Sequence, residues 1–282
     1  MKRKAQPKRR KEWLVAFCIA SAVASARADL MLHPTRVVFE KNARSAQVEL
    51  INSGTQPETY RITLVNRRMT ELGEFVAADP PLPGEHFAVD LLRYSPRQVT
   101  LPAGGAQTIR LQLRKPADLP VGEYRSHLQF ERLPDPVGAA DLAAQARAAP
   151  GEVGVQLNAL IAVSIPVIVR HGEVAAQAQL SGLQFMPAAA GQPAQLAAVM
   201  ERSGSRSVYG DLVATWTDAA GASREIGRAA GVAVYTPNTL RRVRLPLQWP
   251  EGAPAGGTLR LAYLQRQEEG GKPLAEAVLK LP

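Results

Sequence analysis

Cysteine is almost absent. Cys18, the one example, lies in an apolar run near the N-terminus. No intrachain disulfide is available, so core packing must hold the fold, which 282 residues permit. Histidine is also scarce: His33, His86, His127 and His171 show neither H-x-x-x-H spacing nor a cysteine partner, so no zinc site can be read. A G-x-S-x-G nucleophile elbow and a phosphate-cradling glycine loop are both missing. The expectation is a protein that is not an enzyme and uses no metal or cofactor. Aromatics make up 5% of the chain, and of three tryptophans one falls in the N-terminal segment. Trp216 and Trp249 are therefore expected in a core, not on a sugar-binding platform.

The N-terminus combines a basic stretch over 1–11, a twelve-residue apolar run over 13–24 and Ala26-Arg27-Ala28. That is the pattern of a secretory signal peptide cleaved after Ala28, with an apolar run too short to span a bilayer. The formal charge of +9 is concentrated there, since residues 1–28 hold eight Lys/Arg and one Glu, which leaves 26 basic against 24 acidic residues. A concentrated basic footprint for nucleic acid is not expected. No second long apolar segment follows, so the mature chain is read as soluble beyond the inner membrane, in the periplasm, without stable membrane insertion.

What the chain does have is a long alternation. Every odd residue from Val153 to Val169 is apolar, while the even positions begin small or polar. A period of two is a strand with one apolar face, and at about 3.3 Å per residue it would extend roughly 55 Å. One domain of this size rarely buries such a length. Two readings stand at this point: a long core strand, or an edge strand offered to a partner by strand addition. On the second, Val153, Val155, Leu157, Ala159 and Ile161 are donated, and Val163 to Val169 close the protein's own core.

Elsewhere short alternating runs are separated by Gly, Pro, Asn and Ser clusters, and none has a helical period. Strands are expected over 32–39, 46–52, 59–66, 98–101, 108–113 and 124–131 before the long one. After it they are expected over 174–180, 195–201, 208–217, 232–235, 240–247, 259–265 and 274–281. Asn52-Ser-Gly54, Pro102-Ala-Gly-Gly105, Leu119-Pro-Val-Gly122 and Ser203-Gly-Ser-Arg-Ser207 read as turns. Tyr124 stands either as a tyrosine corner or as an ordinary core residue. The Ala- and Pro-containing stretch over 134–151 reads as a long loop. The fold class is all-β: two immunoglobulin-like sandwiches in tandem, over 29–170 and 171–282, after a signal peptide over 1–28.

In order and spacing, Thr35-Arg-Val-Val-Phe39, Arg93-Tyr-Ser-Pro-Arg97, Leu101-Pro-Ala-Gly-Gly-Ala-Gln-Thr-Ile-Arg-Leu111, Leu119-Pro-Val-Gly-Glu-Tyr-Arg125, the long strand ending at Arg170, and Gly270-Gly-Lys-Pro273 resemble the PapD-like periplasmic pilus-assembly chaperones. The resemblance implies donor-strand complementation, which is the known mode of that family and no deduction from spacing. Its partners would be pilus or fimbrial subunits and an outer-membrane assembly pore, the usher. It also implies that Arg36 anchors a subunit's terminal carboxylate. The family's second cationic position holds Pro166 here, and Arg93, Arg97 and Arg125 are the candidates to replace it. Glu123, Arg170 and Glu268 fall where the family has an interdomain acid–arginine–acid network. An exposed edge also permits self-association of the free chain.

The alternative is a structural surface protein, a pilus subunit or a two-domain adhesin. A subunit should carry a polar-alternating extension ahead of its first strand, whereas here Asp29-Leu-Met-Leu32 leads into that strand almost at once.

Overall fold

The computed structural model describes residues 30–134, 162–189, 191–249 and 256–282. In the first sandwich the strands are β1 (Leu30–His33), β2 (Val37–Phe39), β3 (Ser45–Asn52), β4 (Glu58–Val65), β5 (Arg67–Met69), β6 (Phe75–Ala77), β7 (Leu92–Ser95), β8 (Gln98–Leu101), β9 (Ala106–Leu113), β10 (Gly122–Arg132) and β11 (Ala162–His171). They form two facing sheets, ordered β1-β3-β9-β7 and β2-β11-β10-β4-β8, with β5 and β6 as a separate hairpin. In the second sandwich β12 (Ala176–Met186), β13 (Gln195–Gly204) and β16 (Leu240–Pro246) face a sheet of β15 (Ser223–Val234), β14 (Val208–Thr217), β17 (Gly257–Leu264) and β18 (Pro273–Leu281). The chain thus forms the two tandem sandwiches that its alternation predicts. Among the described residues no helix is long and apolar enough to cross a membrane.

The segment read as one strand over 32–39 is two. β1 pairs antiparallel with β3 in one sheet, and β2 runs parallel to β11 in the other. Between them Pro34 offers no N–H for a ladder, so the chain leaves one sheet there and enters the next. Arg36 sits at that crossing.

Tyr124 donates its hydroxyl to the carbonyl of Pro120 at 2.8 Å, tying the start of β10 back to the preceding turn. That is a tyrosine corner. Alternate residues of β10 then point two ways. Leu128 and Phe130 join the first core with Val167 and Val169 of β11, while Glu123, Arg125 and His127 are buried on the opposite face. This second face lies against the other sandwich. Ile168 of β11 and Met69 of the β5–β6 hairpin belong to the second core, around Leu196, Met200, Trp216 and Tyr263. Trp249 packs against Trp216, with ring centroids 5.3 Å apart.

β11 is covered unevenly. β10 flanks it from Ala162 to His171, but β2 pairs with it only at Val167–Val169. Among the described residues, its other edge from Ala162 to Pro166 has no partner strand. Pro166 is tolerated there as an edge residue. Along the odd series, Val169, Val167 and Ile165 are buried, and Val163 emerges at 38% exposure.

Candidate functional site: a cationic cleft between the sandwiches

Arg36 reaches from the β1–β2 crossing to the second sandwich, where its guanidinium stacks 4.3 Å from the centroid of the Tyr209 ring. Cation–π contact of this kind contributes about 0.5–2 kcal/mol, more as water is excluded. Nε and Nη2 of Arg36 are buried without a hydrogen-bond partner. Arg36 also lines a cleft of 420 Å³, with Arg170, Arg206, Tyr209, Gln265 and Glu269.

Behind the cleft one carboxylate joins the two sandwiches. Oε2 of Glu123 accepts from Arg170 Nε at 3.0 Å, within the first. Oε1 accepts from the backbone N–H of Ser207, at 3.1 Å, and from the Ser207 hydroxyl, both in the second. The Glu123 side chain is sealed from solvent and that of Arg170 nearly so. A charge pair this buried is held by its hydrogen bonds, and removing one partner typically costs about 3–5 kcal/mol.

The second acid on Arg170 is Glu40, not Glu268. The reason is register. Val38 pairs with Ile168 and Phe39 with Val169, so the parallel ladder carries Glu40 to the side of Arg170. Glu268 instead pairs with Arg266, 3.4 Å away in the turn that follows β17. Its neighbour Glu269 is the acid that lines the cleft.

The three candidate second cations separate. Arg93 lies exposed on β7, an edge of the other sheet, where it donates to the Leu92 carbonyl at 2.9 Å. Arg97 sits between β7 and β8 and covers Tyr94, donating to its hydroxyl at 3.0 Å. Arg125 shares the domain-facing side of β10 and lies 4.2 Å from the Tyr235 ring centroid. Burial pushes the Tyr235 phenol up, against the pull of Arg36 and Arg125 beside it. Arg125 is only 5% exposed, donates Nη2 to the Arg67 carbonyl at 3.2 Å, and has Nε and Nη1 unpartnered. Burial, too, lowers its pKa.

His127, opposite Pro166 in the ladder, is 1% exposed and has no hydrogen bond on either ring nitrogen. Phe75 of the hairpin meets it edge to face at 4.7 Å. Burial first, then Arg125 and Arg67, push its pKa down to about 3, so the ring is neutral. Val153, Val155, Leu157, Ala159 and Ile161 lie outside the described residues, as does most of the 134–151 loop.

Arg206, Ser207 and Tyr209 escaped the sequence reading. Ser203–Ser207 reads as a turn by composition, and no local pattern says which turn meets another domain. Among the described residues no cluster of His, Cys, Asp and Glu is arranged to hold a metal.

No family model matches this chain, and no curated protein does. Solved structures similar to it include the YadV chaperone, at 15% identity and a TM-score of 0.43 over 90% of this chain and 100% of that one. The CupB2 chaperone of Pseudomonas aeruginosa gives 12% and 0.42, over 89% and 98%. A chaperone–tip subunit pre-assembly complex, CsuC–CsuE from the archaic chaperone-usher Csu pili of Acinetobacter baumannii, gives 13% and 0.41, over 90% and 98%. At these values the likeness carries no functional weight of its own, and the residues of the cleft and the β11 edge have to carry the reading.

Proposed function

We propose that this chain is a periplasmic chaperone of pilus subunits, which completes an unfinished subunit sandwich with its own edge strand and then releases it to an outer-membrane assembly pore. The observation that carries the reading is the edge of β11 over Ala162–Pro166, unpaired among the described residues, where the odd apolar series leaves the protein's core at Val163. A partner strand paired there gains main-chain hydrogen bonds, and pockets for alternate side chains set its register. The residues ahead of it in sequence continue the alternation back to Val153. Burying five such side chains gives a gross term of about 8–15 kcal/mol, of which ordering and association consume a large share.

Arg36 supports the same reading from the adjoining cleft. Its two unpartnered guanidinium nitrogens suit a carboxylate, and a charge-assisted hydrogen bond contributes about 1.5–3 kcal/mol. Such an anchor fixes register, because a slip of one residue turns every apolar side chain away from the groove. Capture and release need no covalent step. The test is co-purification with a co-expressed pilus subunit. Leu157→Asp with Ile161→Asp should abolish capture while the free protein keeps its melting temperature, and retained capture would refute strand donation.

A further inference from the structure

Pro166 leaves the proposed carboxylate clamp with one cation, yet the cleft contains more. We propose that Arg206, from the second sandwich, is the second cation, so that the anion is gripped from both sides of the domain junction. The identity of that anion as a subunit's terminal carboxylate rests on the function proposed above; the clamp itself rests on the cleft.

Arg36 and Arg206 line the same 420 Å³ cleft, one from each sandwich. Nε and Nη2 of Arg36 and Nε of Arg206 are buried with no hydrogen-bond partner. A buried donor left unpaired costs about 1–3 kcal/mol, so an acceptor that reached these nitrogens from the cleft would recover that cost. The third arginine of the lining, Arg170, is already engaged by Glu123 and Glu40. Among the described lining residues the one acid is Glu269, which is exposed. The cleft is therefore short of negative charge.

Arg206 is also held in place. Its carbonyl accepts from Arg202 Nη1 at 3.0 Å, and the next residue, Ser207, is the one bonded to Glu123. The junction that joins the sandwiches thus sets the position of Arg206 relative to Arg36. Arg125 cannot substitute, because it is sealed beneath Tyr235 and does not line the cleft. Arg206 also borders a larger cleft of 1080 Å³ with Lys41, Arg44 and Lys115, the rival location for an anion.

The experiment follows the arginine Nε–H signals of the full mature chain by NMR, assigned with Arg36→Lys and Arg206→Lys, during titration with N-acetylvaline or its uncharged amide. The expected result is that the Arg36 and Arg206 signals shift with one midpoint, that the amide moves neither, and that Arg206→Gln weakens the midpoint read at Arg36 by about tenfold. Arg44→Gln should leave it unchanged. A silent Arg206 while Arg36 shifts, or an Arg206 shift lost in Arg44→Gln, would overturn the clamp. Both signals shifting in a protein that captures no subunit would uphold the clamp and refute the chaperone reading.

Discussion

Ser207 donates its backbone N–H to Glu123 across the junction of the two sandwiches, at 3.1 Å. With Arg170 on its other oxygen, Glu123 is a single buried charge that reads the position of both domains. Glu123→Ala leaves Arg170 with only Glu40 and Ser207 with no acceptor. Small-angle scattering should then show a broader distribution of interdomain distances, and thermal stability should fall by about 3–5 kcal/mol. An unchanged envelope would remove Glu123 from the junction. Glu268→Ala, by contrast, should leave the envelope alone, since Glu268 pairs with Arg266.

Arg36→Ala should weaken subunit capture by about tenfold or more, the equivalent of one charge-assisted hydrogen bond. Arg36→Lys should recover only part of this, because an ammonium group lacks the planar fork and stacks less well on Tyr209. Affinity by calorimetry against a cognate subunit distinguishes the two.

Exposure along β11 predicts a divided outcome. Val167→Ala removes buried methyl groups from the first core and should destabilise by about 2 kcal/mol. Val163→Asp, at a half-open position, should change stability much less and capture much more. Denaturant midpoints and pull-down yields measure the two effects separately.

His127 makes stability depend on pH. Its folded pKa, about 3, lies below the unfolded value near 6.5, so the unfolded chain binds the proton first. Its contribution is complete above about pH 6.5 and is lost as pH falls toward 3, at up to about 1.4 kcal/mol per unit. In His127→Leu the slope of the urea midpoint against pH should flatten between pH 6 and 4, whatever the absolute stability. An unaltered slope would mean that the ring is protonated in the fold.

Much of this was legible in the sequence, in places where a residue's role is decided by its own strand. Period-two alternation found the odd face of β11, and a tyrosine after a Pro-Val-Gly turn offered the tyrosine corner as one of two readings, which the hydroxyl bond to Pro120 decides. What was hidden depends on strands meeting across long separations. On paper Glu268 is the expected second partner of Arg170, and nothing in the sequence singles out Glu40. Only the parallel β2–β11 register decides for Glu40, and nothing local marks that Phe39 pairs with Val169. The β5–β6 hairpin escaped for a similar reason. Its strands have three residues each, too few to show a period, and they are fixed by contacts of Phe75 with His127 and Tyr235. Arg206 was hidden because a turn's composition says nothing about which domain it will touch.

β10 feeds its even side chains to one hydrophobic interior and its odd ones to the neighbouring sandwich, while Ile168 and Met69 are spent wholly on the second interior. The second interior is therefore closed in part by the first sandwich. Expressed alone, the first sandwich would present Arg125, His127, Ile168 and Met69 to water. For the intact chain it means coupling: parting the junction uncovers Ile168 and Met69 and opens the second interior, so calorimetry should trace overlapping endotherms and not two well-separated ones.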